Sequence, residues 1–262
     1  GKILSTADAG RSADLAYPVA SLSKAVTAMC LNNLLPSTPY TWETPLSQLT
    51  PVWESLNMVP HTELAKLPLS ALVTHTSGLP RRIDPDETNQ QSRNFYTQIH
   101  FARTALKDPT LLSPDRKHLY SNVGYGLLGQ IIEGITGQPY GDYCGTTIMA
   151  PAGATSAQIG GPMWATGGFG GWSITASDYA RFVMYWYAAD RPWVKAPQNY
   201  PLDRDSGMGL SVRNFYYNGR HMFYHSGLWQ NKKQSRQIGA LFLASTTGTV
   251  FVANWQGNLA PE

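Results

Sequence analysis

The stretch YPVASLSKAVTAMC, residues 17–30, decides the fold, because it places a serine and a lysine at the start of an apolar helix. Ser21 and Lys24 are three residues apart, a spacing that puts two side chains on one face of a helix. Leu22 and Val26 mark this helix as buried, so we do not expect Lys24 to be simply solvated. The pattern predicts an amine beside the Ser21 hydroxyl; the alternative is a capping serine next to a solvent-facing lysine.

The composition limits what the chain can be. Its 262 residues, 42% of them apolar, suffice for one large domain or two lobes that share a cleft. The net charge of +3 comes from 20 basic and 17 acidic residues without a run of five like charges, which argues against nucleic acid as a partner. No apolar stretch is long enough to span a membrane, and residues 1–10 contain no signal segment, so we expect a soluble chain.

The two cysteines, Cys30 and Cys144, could form one disulfide. However, two cysteines do not make a disulfide scaffold, and cysteine behaves as a small core hydrophobe. We therefore expect buried free thiols.

Helix signals occupy the middle of the chain. Asn122 can cap a run of apolar residues at helical spacing that Gly137 and Pro139 end. Thr175 and Asp178 form a capping-box-like pair ahead of a second apolar helix. Shorter helices are predicted over residues 22–34, 68–74 and 92–107.

The last third of the chain changes to strand patterns. An Asn218-Gly219 turn separates two aromatic-rich runs, and residues 238–255 hold two β-rich runs about a Thr-Gly turn. We predict an antiparallel sheet, to which residues 1–8 would add a strand. The predicted fold class is α/β (α+β). Its parts are a sheet-containing lobe of residues 1–34 and 206–262, a mostly helical lobe of residues 35–205, and an active site in the cleft between them.

A second group of candidate residues lies in HLYSNVGYG, residues 118–126. Tyr120, at the mouth of the predicted helix, could relay a proton, and Asn122 could hydrogen-bond a substrate carbonyl. The alternative is a packing tyrosine and a capping asparagine. GYGLLG, residues 124–129, fits a dinucleotide fingerprint, but no strand precedes it, so we predict no cofactor.

A third group lies in YHSGLW, residues 224–229, on a predicted strand. Gly227 within a strand indicates that something, such as a substrate, approaches the backbone closely. A structural histidine is the alternative for His225. His221 lies four residues before His225, but the strand pattern and the lack of H-E-x-x-H argue against zinc, so we predict no metal. The lack of G-x-S-x-G argues against the nucleophile elbow of α/β-hydrolases.

The motifs SLSK, YSN and HSG, in this order, resemble those of the serine β-lactamase and penicillin-binding protein superfamily. Residues 72–80 (LVTHTSGLP), 120–137 and 167–182 resemble stretches of its class-C-like branch, which holds esterases, D-aminopeptidases, DD-carboxypeptidases and cephalosporinases. The likeness covers roughly residues 10–254.

The resemblance implies that Ser21 is a nucleophile that forms an acyl-enzyme. Lys24 would be the general base if its amine is neutral, and moving a lysine pKa from about 10.4 to near 7 corresponds to about 4 to 5 kcal/mol. Burial and a neighbouring cation can supply that preference. If the amine stays charged, Tyr120 would carry the proton as a phenolate.

The resemblance also implies the rest of the site. The backbone N–H groups of Ser21 and Leu228 would form the oxyanion hole. Asn122 would orient the substrate, and His225 would position Tyr120 or touch a substrate carboxylate. Further positions are expected to line the substrate pocket, with core packing as the alternative for the tryptophans: Gly227, Trp164, Trp172 and Trp229. His75 is interpreted as structural, because HTSGLP is typical of a helix end and a turn.

Two departures from the family pattern shape the functional prediction. Family members usually have a helix and a strand before the position of Gly1 and a closing helix after that of Asn254. We therefore expect a fragment of a longer chain, a trimmed sheet, or a sheet that another chain completes. His225 stands where β-lactamases typically have lysine. A histidine with a pKa near 6.5 is mostly neutral at pH 7, which argues against strong β-lactam turnover.

We therefore predict a serine hydrolase that acts on a small ester. The enzymatic alternatives are a D-amino-acid peptidase or DD-carboxypeptidase, acting on an amide, and a weak β-lactamase. The non-enzymatic alternatives are a penicillin-recognising sensor that is acylated without turnover and an inert structural relative. The resemblance is compatible with a periplasmic or secreted protein.

Overall fold

An antiparallel sheet is the frame of the molecule. The structure, a computed structural model, describes residues 6–7, 12–81, 103, 105–160, 166–187, 190–231 and 236–257. In this part of the chain six strands form one sheet in sequence order: β3 (Leu202–Asp203), β4 (Met208–Gly209), β5 (Val212–Tyr217), β6 (Arg220–Asn231), β7 (Arg236–Ser245) and β8 (Val250–Gln256). A separate ribbon pairs β1 (Tyr17–Pro18) with β2 (Ser173–Ile174). The predicted fold class, an antiparallel sheet with helices, is confirmed.

Both predicted hairpin turns are present. Asn218 and Gly219 adopt left-handed backbone (φ 48° and 71°) between β5 and β6, the conformation that a tight two-residue hairpin requires. Gly248, at φ 88°, lies in the turn between β7 and β8. The strand predicted over residues 1–8 falls almost entirely outside the described residues.

Long helices pack against this sheet and against each other. The Lys24 helix (Ser23–Leu34) contacts the Asn122 helix (Asn122–Thr136), and Ala176–Trp186 packs on β7 and β8. Shorter helices are Thr50–Ser55, Thr62–Ala65, Leu69–Val73, Tyr140–Cys144 and Pro192–Lys195. Single 3₁₀ turns are Ala20–Leu22, Leu35–Ser37, Leu46–Gln48, Pro109–Leu111, Ala150–Ala152 and Pro197–Asn199, and Gly145–Met149 is a π turn. None of the described helices is long and apolar enough to cross a membrane.

Two of the predicted short helices correspond to observed ones, and the third lies mostly outside the described residues. Residues 22–34 are covered by the Lys24 helix and the turn before it, and residues 68–74 by Leu69–Val73. Of residues 92–107, only 103 and 105–107 lie in the described part, and they are helical.

The start of the Asn122 helix differs from the prediction. Ser121, rather than Asn122, is the cap, because its Oγ accepts a hydrogen bond from the Gly124 N–H at 2.9 Å. Asn122 is the first helical residue, and Gly137, at φ 67°, ends the helix as predicted.

The predicted capping box before Ala176–Trp186 is only half formed. Thr175 caps this helix by accepting from the Asp178 N–H at 3.0 Å. The Asp178 carboxylate accepts from the Ser156 N–H at 2.7 Å instead of returning to Thr175. The carboxylate therefore ties a preceding loop to the helix.

Cys30 and Cys144 form a disulfide, so the prediction of free thiols was wrong. Both residues are fully buried, and their Cα atoms are 5.6 Å apart, a separation that a disulfide bridges readily. The two cysteines lie on helices that are far apart in sequence but pack together in the core. No local pattern reveals this packing, which brings the two sulfurs together. The bond fixes the Lys24 helix to the segment that follows the Asn122 helix.

Candidate active site

The Lys24 helix carries the candidate nucleophile and its neighbouring amine. Ser21 lies in the turn Ala20–Leu22 that leads into the helix, and Lys24 lies in the first turn of the helix. The Lys24 Nζ donates to the Ser21 Oγ at 3.2 Å, and the Lys24 side chain is fully buried. The structure thus contains the contact expected from the three-residue spacing and not a solvent-facing lysine.

A glycine-rich segment, residues 167–171, accepts hydrogen bonds from side chains of the Lys24 helix. The Phe169 carbonyl accepts from the Lys24 Nζ at 2.9 Å, and the Gly168 carbonyl accepts from the Thr27 Oγ1 at 2.6 Å. The Phe169 carbonyl thus holds the amine beside Ser21, and the Gly168 carbonyl ties the same segment to the helix. The sequence does not predict them, because no side-chain pattern identifies a carbonyl such as that of Phe169, which is 145 residues from Lys24 in sequence.

Strand β6 passes beside the Ser21 turn at Gly227. β5 pairs with β6 only up to Tyr224, and beyond that point this edge of β6 lies against the turn. A Cβ on Gly227 would lie 2.5 Å from the Val19 carbonyl oxygen and 2.7 Å from the Ser21 nitrogen. The predicted close approach therefore occurs, but the turn itself is what approaches. Glycine at this position lets the backbone of Gly227 lie next to Ser21.

Tyr120 lies over the Lys24 amine. The Lys24 Nζ is 4.7 Å from the centroid of the Tyr120 ring, and Tyr120 is half-buried. The His75 ring packs on Tyr120 with centroids 4.4 Å apart, and the Arg81 guanidinium carbon is 5.7 Å from the Tyr120 centroid. The fold therefore brings Ser21, Lys24 and Tyr120 together.

His225 reaches the same cluster from strand β6. Its Nδ1 lies 2.5 Å from the Ser211 carbonyl oxygen, so Nδ1 carries the proton and donates, which leaves the lone pair on Nε2. Burial, and to a lesser extent the charge of Lys24, lower the pKa of His225 to about 3. The ring is thus neutral at physiological pH and offers no positive charge to a substrate carboxylate. Its edge-on approach to the Tyr120 ring, 6.5 Å between centroids, favours the other predicted role of positioning Tyr120.

Asn122 occupies the mouth of its helix, two residues after Tyr120. Its backbone N–H donates to the Arg81 carbonyl at 3.2 Å, and only 8% of its surface is exposed. The role of its amide in orienting a substrate remains a prediction.

The predicted pocket tryptophans separate in the structure. Trp172 is buried in the core, where its Nε1 donates to the Tyr140 hydroxyl at 3.0 Å, so core packing explains it and a substrate role is not carried forward. Trp229 is half-buried, packs on Gly170 and donates from Nε1 to the Gly170 carbonyl at 3.3 Å. Trp229 stays a candidate for the pocket wall. Trp164 lies outside the described residues.

The chemistry available to this cluster is that of an activated hydroxyl. A serine hydroxyl within hydrogen-bond reach of an amine, with a phenol beside that amine, is suited to nucleophilic attack on a carbonyl carbon. Within the described ranges, no group of three or more histidine, cysteine, aspartate or glutamate side chains is placed to hold a metal ion.

Comparison with known proteins gives a consistent result. A family model described as Beta-lactamase matches residues 3–262. A curated relative, a putative D-alanyl-D-alanine carboxypeptidase from Escherichia coli (strain K12), is 36% identical over 92 residues, which are 34% of this chain and 21% of the relative. The counterpart from Salmonella newport (strain SL254) is 35% identical over 91 residues. The matched segment thus spans about a fifth of the length of these relatives.

Solved structures share the fold over most of the chain. A D-stereospecific amidohydrolase from Streptomyces sp. superposes with a TM-score of 0.74 at 17% identity, covering 96% of this chain and 86% of that one. A β-lactamase/D-alanine carboxypeptidase from Yersinia pestis gives 0.73 at 19% identity, covering 92% and 77%. At such identities the likeness shows the fold alone.

Proposed function

Since the chain belongs to the Beta-lactamase family, a family of serine hydrolases, we propose that it is a carboxylesterase that forms an acyl-enzyme on Ser21. The observation that carries the proposal is the 3.2 Å contact between the Ser21 Oγ and the fully buried Lys24 amine. This distance is within the reach required of a nucleophile and its base. A Ser21 without such a neighbour would be a weak nucleophile.

In the proposed acylation step, the Ser21 oxygen attacks the ester carbonyl carbon, and its proton passes to Lys24 or Tyr120. The tetrahedral oxyanion is stabilised by the N–H groups of Ser21 and Leu228, a role supported by the close passage of Gly227 beside the Ser21 nitrogen. The alcohol leaves with a proton returned by the same group. Water then hydrolyses the acyl-enzyme, and Tyr120 is the candidate that activates the water.

The neutral state of His225 favours an ester without a carboxylate near this position. The position where many β-lactamases have a lysine holds a ring whose pKa is lowered to about 3. The neutral His225 ring itself offers no charge to pair with a substrate carboxylate, whereas an uncharged ester needs none.

A second candidate function is hydrolysis of a D-amino-acid amide or peptide. It is favoured by the relatives named as putative D-alanyl-D-alanine carboxypeptidases and by the structural neighbour described as a D-stereospecific amidohydrolase. A weak β-lactamase activity and acylation without turnover are the remaining alternatives.

Three substrates separate these functions: p-nitrophenyl butyrate, nitrocefin and D-alanine p-nitroanilide. Turnover of the ester alone supports the carboxylesterase, turnover of the anilide supports the amidase, and a single stoichiometric burst with any of them supports a sensor. Ser21→Ala should abolish turnover while the melting temperature changes little. Turnover that survives this substitution would dismiss Ser21 as the nucleophile.

A further inference from the structure

His75 combines two features that each disfavour folding. Its φ of 63° lies in the left-handed region, which non-glycine residues adopt uncommonly, histidine more often than most. Its side chain is fully buried, and its Nε2 has no hydrogen-bond partner among the described residues. Such features persist where the surrounding structure requires them, and they concentrate at functional sites.

Three contacts join His75 to Tyr120 and its two neighbours. The His75 carbonyl accepts from the Leu119 N–H at 2.8 Å. The His75 Nδ1 accepts from the Ser121 N–H at 3.0 Å. Between these two bonds, the His75 ring packs on the Tyr120 ring with centroids 4.4 Å apart and planes inclined by 33°. One residue therefore holds the backbone N–H groups of both neighbours of Tyr120 as well as the Tyr120 ring.

The hydrogen bond at Nδ1 determines the state of the ring. Because Nδ1 accepts, the ring is the neutral tautomer with its proton on Nε2. Burial, and then the charge of Lys24, hold the pKa of His75 well below its usual range, with smaller effects from His118, His225 and Arg213. The ring therefore keeps the Ser121 bond instead of taking up a proton that would break it.

We infer that His75 is a positioning residue that holds the Tyr120 phenol over the Lys24 amine. The left-handed backbone presents both the carbonyl and the ring of His75 to residues 119–121, which accounts for the strain. His75 thus has a part in the reaction that its helix-end pattern did not reveal. The catalytic consequence rests on the proposed function, but the placement of Tyr120 can be measured independently.

The test compares His75→Ala with His75→Asn. Alanine removes both side-chain contacts. Asparagine tolerates left-handed backbone and places an amide oxygen near the position of Nδ1, so it can still accept from the Ser121 N–H. With p-nitrophenyl butyrate and rates normalised to the folded fraction from circular dichroism, we expect His75→Ala to lower kcat at least tenfold and to change KM less than threefold. The kcat of His75→Asn should be at least threefold higher than that of His75→Ala.

His221→Ala is the matched control. His221 is another buried histidine that packs on an aromatic ring, that of Tyr216 at 4.9 Å, within the β5–β6 hairpin. The His221→Ala variant should have a lower melting temperature but an unchanged kcat per folded molecule. An unchanged kcat in His75→Ala, no recovery in His75→Asn, or an equal loss of kcat in His221→Ala would overturn the inference.

A spectroscopic measurement keeps the inference separate from the proposed function. In protein labelled with ring-¹³C tyrosine, the Tyr120 signal is assigned from its loss in Tyr120→Phe. We expect this signal to shift or broaden in His75→Ala and to move back toward the wild-type position in His75→Asn. A Tyr120 signal unchanged in His75→Ala would overturn the inference even if the enzyme turned over none of the three substrates.

Discussion

Replacing Gly227 by alanine tests the closest approach in the candidate site, that between strand β6 and the Ser21 turn. The new Cβ would lie 2.5 Å from the Val19 carbonyl oxygen, whereas Cβ contacts under 3.0 Å are essentially never seen. Strand and turn must therefore separate by about half an ångström or more. Because both the Val19 and Ser21 contacts are with backbone atoms, no side chain can rotate to relieve them.

The separation should lower both activity and stability. A misplacement of about 1 Å at a reacting centre costs about 100-fold in rate, and loss of one oxyanion donor costs about 100- to 1,000-fold. We therefore expect kcat for p-nitrophenyl butyrate to fall by about 10- to 100-fold in Gly227→Ala. Overpacking of this kind costs about 1 to 3 kcal/mol in the free energy of unfolding. In a chain of this size that lowers the melting temperature by roughly 2 to 4 °C per kcal/mol.

The kcat per folded molecule and the melting temperature are measured for Gly227→Ala and for a control variant, Gly160→Ala. Gly160→Ala is the control, because a Cβ there meets no atom within 4 Å and its backbone is not left-handed. It should match the wild type in both measurements. A Gly227→Ala protein whose kcat stays within threefold of the wild-type value would refute the placement of strand β6 against the Ser21 turn.

Three further predictions follow from the same site and its support. Tyr120→Phe keeps the ring but removes the phenol, so steady-state ester turnover should fall at least 100-fold by spectrophotometric assay, and a turnover near wild type would exclude Tyr120 as a proton carrier. Folding lowers the pKa of His225 from 6.5 to about 3, so His225 takes up a proton at a higher pH in the unfolded chain than in the folded protein. The folded state therefore loses stability as the pH falls from about 6.5 toward 3. Near pH 5 the loss from His225 alone is about 2 kcal/mol in the free energy of unfolding. The melting temperature should therefore fall less between pH 7 and pH 5 in His225→Asn than in the wild type. An equal fall in both proteins would contradict the buried neutral ring. Replacing both Cys30 and Cys144 by serine removes a link between residues 114 apart, and the chain-entropy model assigns such a link about 4 to 5 kcal/mol of stability. Calorimetry of this double variant should therefore show a melting temperature lower by about 10 °C. An unchanged melting temperature would mean that the disulfide is absent in solution.

Features set by neighbouring residues could be predicted from the sequence. The contact of Ser21 with Lys24 follows from helix geometry, and the turn at Asn218 and Gly219 follows from their tolerance of left-handed backbone. The helix end at Gly137 has the same origin. In each case the interacting groups lie within a few residues, so local preference and tertiary structure agree.

Features set by distant residues could not be predicted in this way. The Cys30–Cys144 bond joins residues 114 apart, and the Phe169 carbonyl that holds Lys24 is 145 residues away. His75 was assigned to a helix end, which is where it lies, but its contact with Ser121 spans 46 residues. These contacts depend on how the helices pack, and a backbone acceptor or a packed ring leaves no mark in the residue pattern. The match of motifs to a known family placed the cluster, whereas the supports of that cluster required coordinates.

Mass spectrometry of acid-quenched protein tests most directly whether Ser21 becomes acylated. Wild-type protein mixed with p-nitrophenyl butyrate and quenched during the first turnovers should carry one butyryl group, located after proteolysis on the peptide that contains Ser21. Ser21→Ala should carry none. A butyryl group on another residue, or continued ester turnover with no modified Ser21 at any quench time, would contradict the claim.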